Sequence, residues 1–165
     1  EGLDAAIVNP CFVIGAGDHY RRKSSWFVQM KRKPPRFSIN GGINVIPVKD
    51  VVQGLLNANQ YGKRGERYVL SGKNIPFREL INLYAEIAGF PKPSLMMPDF
   101  LIRKSISMIG RSTFVSEEQR NSIYYFAGRF FYYDPRKARL DLHLPPSGDL
   151  RIALTEMSNW FKMNP

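Results

Sequence analysis

Cysteine is nearly missing from this sequence: one residue, Cys11, in 165. An internal disulfide is therefore impossible, and with two histidines a Cys/His metal cluster is excluded too. A reducing, cytoplasmic setting is the expectation that follows. Long apolar runs are also missing; none reaches the roughly 18 to 20 residues a membrane-spanning helix needs. The opening, Glu1-Gly-Leu-Asp4, has neither a basic start nor an apolar secretory core. Repeats and low-complexity tracts are absent. Acid is missing where base is dense: between His19 and Arg36 stand Arg21, Arg22, Lys23, Lys31, Arg32, Lys33 and Arg36, with no aspartate or glutamate among them.

What is present is ordinary for a globular protein: 44% hydrophobic and 23% charged residues, with a net charge of +10. The basic block suits phosphates or anionic lipid heads, or a solvated helix face and loop. A nucleic-acid reader would add a reading motif or exposed stacking aromatics; Trp26 and Phe27 lie between the basic clusters, but no such motif accompanies them.

Leu3–Ile14 is continuous and apolar, as in a strand buried within a parallel sheet, and Pro10 should end or bend it. Trp26, Phe27 and Met30 share a helix face within Ser24–Lys33, which Pro34-Pro35 stops. Phe37–Ile39 and Asn44–Val48 read as strands around Asn40-Gly41-Gly42, a tight hairpin turn. Asp50 reads as the cap of a helix reaching about Asn59. Tyr68–Ser71 is a second buried strand, and Phe77–Ala88 an amphipathic helix ended by Gly89. Short strands follow at Ser94–Pro98 and Phe130–Tyr133. Helices are expected at Phe100–Ile109, Ser116–Ala127, just after Pro135, and at Asp149–Phe161.

Two motifs imitate chemistry. Gly15-Ala-Gly17-Asp-His-Tyr20 starts like a dinucleotide fingerprint, but Tyr20 occupies the place of the third glycine. Tyr133-Asp-Pro-Arg-Lys137 matches Tyr-x-x-x-Lys, yet Pro135 at a helix start leaves Tyr133 outside the helix. Cys11 reads as an inert buried thiol. His19 and His143 lack a nucleophile–base pattern. Glu117 and Glu118 fit a helix start. No catalytic residue is assigned within the chain.

Taken in order, Pro10-Cys-Phe-Val-Ile-Gly15, Asn44-Val-Ile-Pro-Val-Lys-Asp50, Gly65-Glu-Arg-Tyr-Val-Leu-Ser-Gly72 and the ending Tyr133-Asp-Pro-Arg-Lys-Ala138 with Ala153 and Trp160 resemble the C-terminal half of extended short-chain dehydrogenases/reductases. This is the NAD-dependent epimerase/dehydratase superfamily. The resemblance is strongest to dihydroflavonol reductase-like and 3β-hydroxysteroid dehydrogenase-like members. Sugar epimerases usually carry asparagine at the place of Phe12. The implied fold is α/β: the last parallel strands of a Rossmann-type sheet, 3–14 and 67–71, plus a small mixed helical substrate-binding domain, with 1–165 as a whole the substrate-binding part. The implied catalytic Ser, Tyr-x-x-x-Lys and glycine-rich loop lie upstream of the Pro10 strand.

The resemblance further implies NAD or NADP in the intact enzyme, with Pro10, Cys11, Phe12 and Val13 against the nicotinamide. It places Asn44 toward the substrate, and Trp26 and Met30 as an apolar pocket wall. The implied activity is hydride transfer to or from a ring ketone or alcohol, with no turnover from this portion alone. Alternatives are a nucleotide-sugar epimerase or dehydratase of the same superfamily, and a non-enzymatic basic module on nucleic acid or an anionic membrane through residues 19–36. Expected partners are an apolar small molecule and either the missing N-terminal half or a second copy. Pro47 and Lys49 depart from the family pattern, which more often has histidine and an acid there.

Overall fold

The computed structural model describes residues 3–18, 26–98, 100–101 and 125–164. In chain order its elements are β1 (Ile7–Pro10), β2 (Phe12–Ile14), α1 (Trp26–Arg32), β3 (Phe37–Ile39), β4 (Gly42–Pro47), α2 (Val48–Tyr61), β5 (Arg67–Leu70), β6 (Lys73–Pro76), α3 (Phe77–Ala88), β7 (Leu95–Met97), β8 (Phe130–Phe131), α4 (Arg136–Asp141) and α5 (Leu150–Met163). They fall into two compact units. Glu1–Gly17, Asn44–Asn74 and Tyr132–Pro165 form the first; Asp18–Ile43 and Ile75–Phe131 form the second. The architecture is α/β with parallel strand pairs, the class expected.

In the first unit the apolar stretch Leu3–Ile14 makes two strands, because Pro10 has no N–H to continue the ladder. β1 pairs in parallel with β5, Ile7 beside Arg67 and Pro10 beside Leu70. β2 then pairs in parallel with β4, Phe12 beside Val45 and Ile14 beside Pro47. α2 turns Val51, Gly54 and Ala58 inward, three positions on one helical face. Gly54 is required there: a Cβ on it would stand 2.4 Å from Leu70 Cδ1. Val51 and Ala58 join Ile46, Tyr68, Leu70, Ala138 and Leu142 in the core. α5 starts at Asp149, whose carboxylate accepts the Arg151 N–H at 2.7 Å.

In the second unit α3 spans the residues its periodicity predicts. Phe77, Leu80, Tyr84 and Ala85 are buried, and Gly89 ends the helix in the left-handed conformation at φ 77°. α1 brings Phe27 edge-on to Tyr84, with ring centroids 4.8 Å apart. β8 pairs in parallel with the start of β4.

Two expectations are corrected here. β3 and β4 are not a hairpin: β3 pairs in parallel with β7, Phe37 beside Leu95. Gly41 does take a positive φ, 126°. Its glycine serves close approach instead, since a Cβ would stand 2.6 Å from the Arg129 carbonyl oxygen and 2.9 Å from that of Phe126. Asp50 is not the cap of α2 either. Pro47 occupies that position, and Asp50 sits in the first turn with its carboxylate turned to a distant loop. β6 is an element the sequence reading does not anticipate, for Lys73-Asn-Ile-Pro76 carries one aliphatic residue and a proline.

The expected helices at Phe100–Ile109 and Ser116–Ala127 lie largely outside the described residues, as do His19–Lys23, Glu117 and Glu118. Among the described residues no helix is long and apolar enough to cross a membrane. Nor do three or more His, Cys, Asp or Glu side chains among them gather in a way that could hold a metal ion.

Candidate functional site

Pro10–Val13 is the point at which one strand changes partners. The Cys11 N–H still donates to the Leu70 carbonyl at 3.0 Å, the last bond toward β5. One residue later Phe12 is in register with Val45 of β4. Such exchanges at the carboxyl end of parallel strands leave backbone groups and a crevice where ligands of α/β folds bind. Pro10 and Val13 are exposed, while Cys11 and Phe12 are half-buried. The Cys11 thiol packs against the first unit's core, and burial pushes its pKa up to about 11. Gly15 follows where a Cβ would stand 2.3 Å from Val48 Cγ1, so glycine lets this strand end lie against the start of α2. Among the described residues β1 has a strand neighbour on one side, β5. Leu3, Ile7 and Val13 stay exposed.

Asn44 lies one residue before the partner of Phe12. It is fully buried, and its amide is engaged at both ends. Its Oδ1 accepts the Gly72 N–H at 2.9 Å, and its Nδ2 donates to Asn74 Oδ1 at 2.6 Å. Asn74 in turn clasps the Tyr133 backbone: Oδ1 accepts the Tyr133 N–H at 3.1 Å and Nδ2 donates to its carbonyl at 3.2 Å. Two side-chain amides thus tie together β4, the β5–β6 turn, β6 and the segment after β8. Asn74 has no sequence signal, since its role needs a partner 59 residues away.

Asp50 Oδ2 accepts the Ser147 hydroxyl at 2.6 Å and the Gly148 N–H at 2.8 Å. The loop Pro145–Gly148 is thereby tied to α2. A cavity of about 40 Å³ opens beside this tie, lined in part by Asp50, Ser71, Arg139 and Ser147. That is room for ordered water.

The Tyr133–Lys137 spacing does not bring those side chains to one helix face. Tyr133 precedes α4, and Lys137 Nζ is bonded to Glu66 at 2.6 Å and to the Arg67 carbonyl at 3.0 Å. His143 has a positive φ of 51° and stacks edge-on with Tyr61. Gly17 has a φ of 99°; Tyr20 lies outside the described residues.

Of the residues singled out from sequence, Pro10–Val13 and Asn44 belong to the first unit, and Trp26 and Met30 to the second. Trp26 packs edge-on against Phe126 at 5.0 Å and Phe77 at 6.1 Å, and Met30 is half-buried.

No family model matches the chain. It is 31% identical to a Synechocystis protein named as a dihydroflavonol 4-reductase, over 98% of this chain and 49% of that protein. It is 26% identical to sterol demethylase protein B of Methylococcus capsulatus, over 98% of this chain and 51% of the relative. The chain thus spans about half the length of these curated relatives. The crystal structure of a nucleoside-diphosphate-sugar epimerase from Pseudomonas aeruginosa superposes with a TM-score of 0.80 at 28% identity, covering 99% of this chain and 49% of that one. A dTDP-glucose 4,6-dehydratase of Streptomyces venezuelae, solved with NAD bound, shares the fold at a TM-score of 0.67 and 17% identity, covering 98% of this chain and 45% of its own. Dihydroflavonol reductase-like proteins, sugar epimerases and dehydratases are branches of one nicotinamide-dependent superfamily, and this chain belongs to it: the extended short-chain dehydrogenases/reductases.

Proposed function

We propose that the chain is the substrate-binding portion of a cytoplasmic NAD(P)-dependent oxidoreductase that acts on a ring ketone or ring alcohol. The observation that carries this reading is the partner change at Pro10–Val13. It puts exposed, proline-interrupted backbone at the carboxyl end of a parallel strand, where a nicotinamide carboxamide finds N–H and C=O groups. The residues present fit that group: Pro10 and Val13 offer surface, and no acid stands between Pro10 and Gly15 to repel the cofactor's phosphates. The bound cofactor would supply the hydride.

In this reading Pro10, Cys11, Phe12 and Val13 orient the nicotinamide. Asn44 serves the substrate side and, to reach a ligand, must release Asn74. Trp26 and Met30 give apolar wall to a ring substrate. The catalytic tyrosine and the glycine-rich loop are supplied by the other half of the enzyme. The uncovered side of β1, with Ile7 on it and Leu3 before it exposed, supports a further body of structure against that edge.

The test is NADPH oxidation with a dihydroflavonol and with a 3-oxo steroid, measured on this chain alone and on the chain joined to a nucleotide-binding half. Turnover should require the joined form. A real rate from the chain alone overturns the division of labour.

The sugar-epimerase likeness, at 28% identity, favours a second reading in which the substrate is a nucleotide-sugar. Phe12 argues against it, being unable to hydrogen-bond a sugar hydroxyl. Saturable binding of a UDP-sugar by the joined form, with none of the ring ketones bound, would select that reading instead.

A further inference from the structure

The chain's charge is unevenly divided. Fourteen of its 24 lysines and arginines but six of its 14 acids fall in the second unit, +8 against +2 for the first. Within the second unit the described basic run Lys31, Arg32, Lys33 and Arg36 is exposed throughout. Lys31 and Arg32 end α1, and two prolines lead directly through Arg36 into β3.

In the chain that basic run leads directly into exposed apolar residues. Phe37, the first residue of β3, is 45% exposed, and its cross-strand neighbour Leu95 is 59% exposed. Met96, in register with Ser38 and so on the other side of the strand pair, is 43% exposed. Ser38 is the buried face of β3, so Phe37 and Leu95 stand on the outward side of the strand pair. Phe100 and Leu101, a few residues beyond β7, are exposed as well. A soluble surface rarely groups large apolar side chains in this way without a partner. Lys92, just before β7, is already held by Glu86 at 2.6 Å, so the positive field comes from the 31–36 run.

We propose that this part of the second unit, Phe37 and Leu95 with the basic run Lys31, Arg32, Lys33 and Arg36, docks on an anionic phospholipid surface. The pairing of elements is what an interfacial site uses: apolar side chains enter the boundary between head groups and acyl chains while basic side chains hold the phosphates. Each basic side chain near an anionic leaflet strengthens attachment by roughly fivefold, and the gain is screened by salt. Nucleic acid would use the same cations but has no use for an outward leucine, and the strand pair offers one aromatic, Phe37, for stacking. The inference does not depend on the enzymatic reading.

Vesicle co-sedimentation tests it, with vesicles of phosphatidylcholine mixed with phosphatidylglycerol and vesicles of phosphatidylcholine alone. The protein should sediment with the mixed vesicles and not with the neutral ones, and rising salt should weaken the binding. Phe37→Ser with Leu95→Ser, at exposed positions and with the fold checked by far-UV circular dichroism, should weaken it by about tenfold or more. Replacing Lys31, Arg32, Lys33 and Arg36 by glutamine should abolish the preference for anionic vesicles. Absence of binding by the unaltered protein overturns the proposal without need of a variant. So does vesicle binding indifferent to the Phe37/Leu95 change, or a duplex oligonucleotide that binds equally well with and without it.

Discussion

Asn44 Nδ2 donates to Asn74 Oδ1 at 2.6 Å, and the same oxygen accepts the Tyr133 N–H. One side-chain oxygen thus joins three chain segments that leave or enter the first unit at adjacent residues: Asn44, Asn74 and Tyr132 mark its boundaries. Asn44 is completely buried, so removing its amide takes away the acceptor of the Gly72 N–H and the donor to Asn74 Oδ1, which keeps its bond from the Tyr133 N–H. Asn44→Ala should destabilise the fold by about 1–3 kcal/mol, read from urea unfolding.

Asn44→Asp makes a sharper test, because it keeps the shape and exchanges a donor for an acceptor. The new carboxylate would face Asn74 Oδ1 while buried, so its folded pKa must lie above its unfolded value near 4. A group with a raised folded pKa contributes stability below its unfolded pKa and loses it as pH rises through the folded one. Relative to the unaltered protein, Asn44→Asp should therefore be least damaging in acid and increasingly damaging toward neutrality. Urea midpoints across that range check the slope; a flat difference would mean that the position is wet.

Asp50 carries a second tie, from α2 to the loop before α5. Asp50→Ala removes the acceptor of both the Ser147 hydroxyl and the Gly148 N–H. Hydrogen bonds to a charged acceptor are worth about 1.5–3 kcal/mol each when well shielded, and this pair is part-exposed, so a loss of roughly 2 kcal/mol is expected. The α2 helix itself should persist, since Asp50 is not its cap. Amide exchange should quicken around Ser147–Asp149 more than along Val51–Ala58. The reverse pattern would restore the capping role.

These two ties mark the boundary of what local sequence patterns reveal. α3 is readable to the residue because its apolar spacing, and Gly89 behind it, are local facts. The break behind Pro10 is readable for the same reason. Asp50 before an apolar helix looks like a cap, and the partner that claims it, Ser147, is 97 residues away. Asn40-Gly41-Gly42 looks like a hairpin turn, yet parallel pairing of β3 with β7 brings together residues more than 50 positions apart, and no turn chemistry signals that. The candidate site divides likewise. Pro10–Val13 shows in the sequence as a proline within an apolar run, whereas Asn74 becomes visible only when Tyr133 arrives beside it.

Gly41 gives a steric prediction. Its φ of 126° is strained for any L side chain, and an added Cβ would meet two backbone carbonyls rather than a flexible side-chain end. Gly41→Ala should therefore cost about 1–3 kcal/mol or more, beyond ordinary glycine entropy effects. A thermal shift smaller than that of Gly65→Ala, where φ is 75° and the space is open, would show that the close approach is absent.

Acid should loosen the first unit through exposed ion pairs. The Lys137 ammonium bonded to Glu66 lowers that carboxyl's pKa, and Lys63 does the same to Asp141. A carboxyl with a lowered folded pKa contributes stability above its unfolded value near 4, and that contribution is lost as pH falls through the folded value. The urea midpoint should therefore drop as pH falls below about 4. Lys137→Met should flatten the drop, and high salt should shrink it because both pairs face solvent. An acid slope unmoved by either change would assign the effect to other carboxyls.

Cys11 links stability chemistry to the proposed cofactor contact. Burial pushes its thiol pKa up to about 11, from an ordinary value of 9.0. Near pH 8 the thiolate fraction is then about a hundredfold below that of an exposed cysteine, and the thiolate is the reacting species. Labelling by iodoacetamide should be slower than for a short cysteine peptide by at least that order, and should accelerate steeply with pH. In the enzyme carrying both halves, NADPH should slow it further, because the nicotinamide is proposed to lie along Pro10–Val13. Protection that fails to saturate with NADPH, while the enzyme still turns over, would move the cofactor off this strand end.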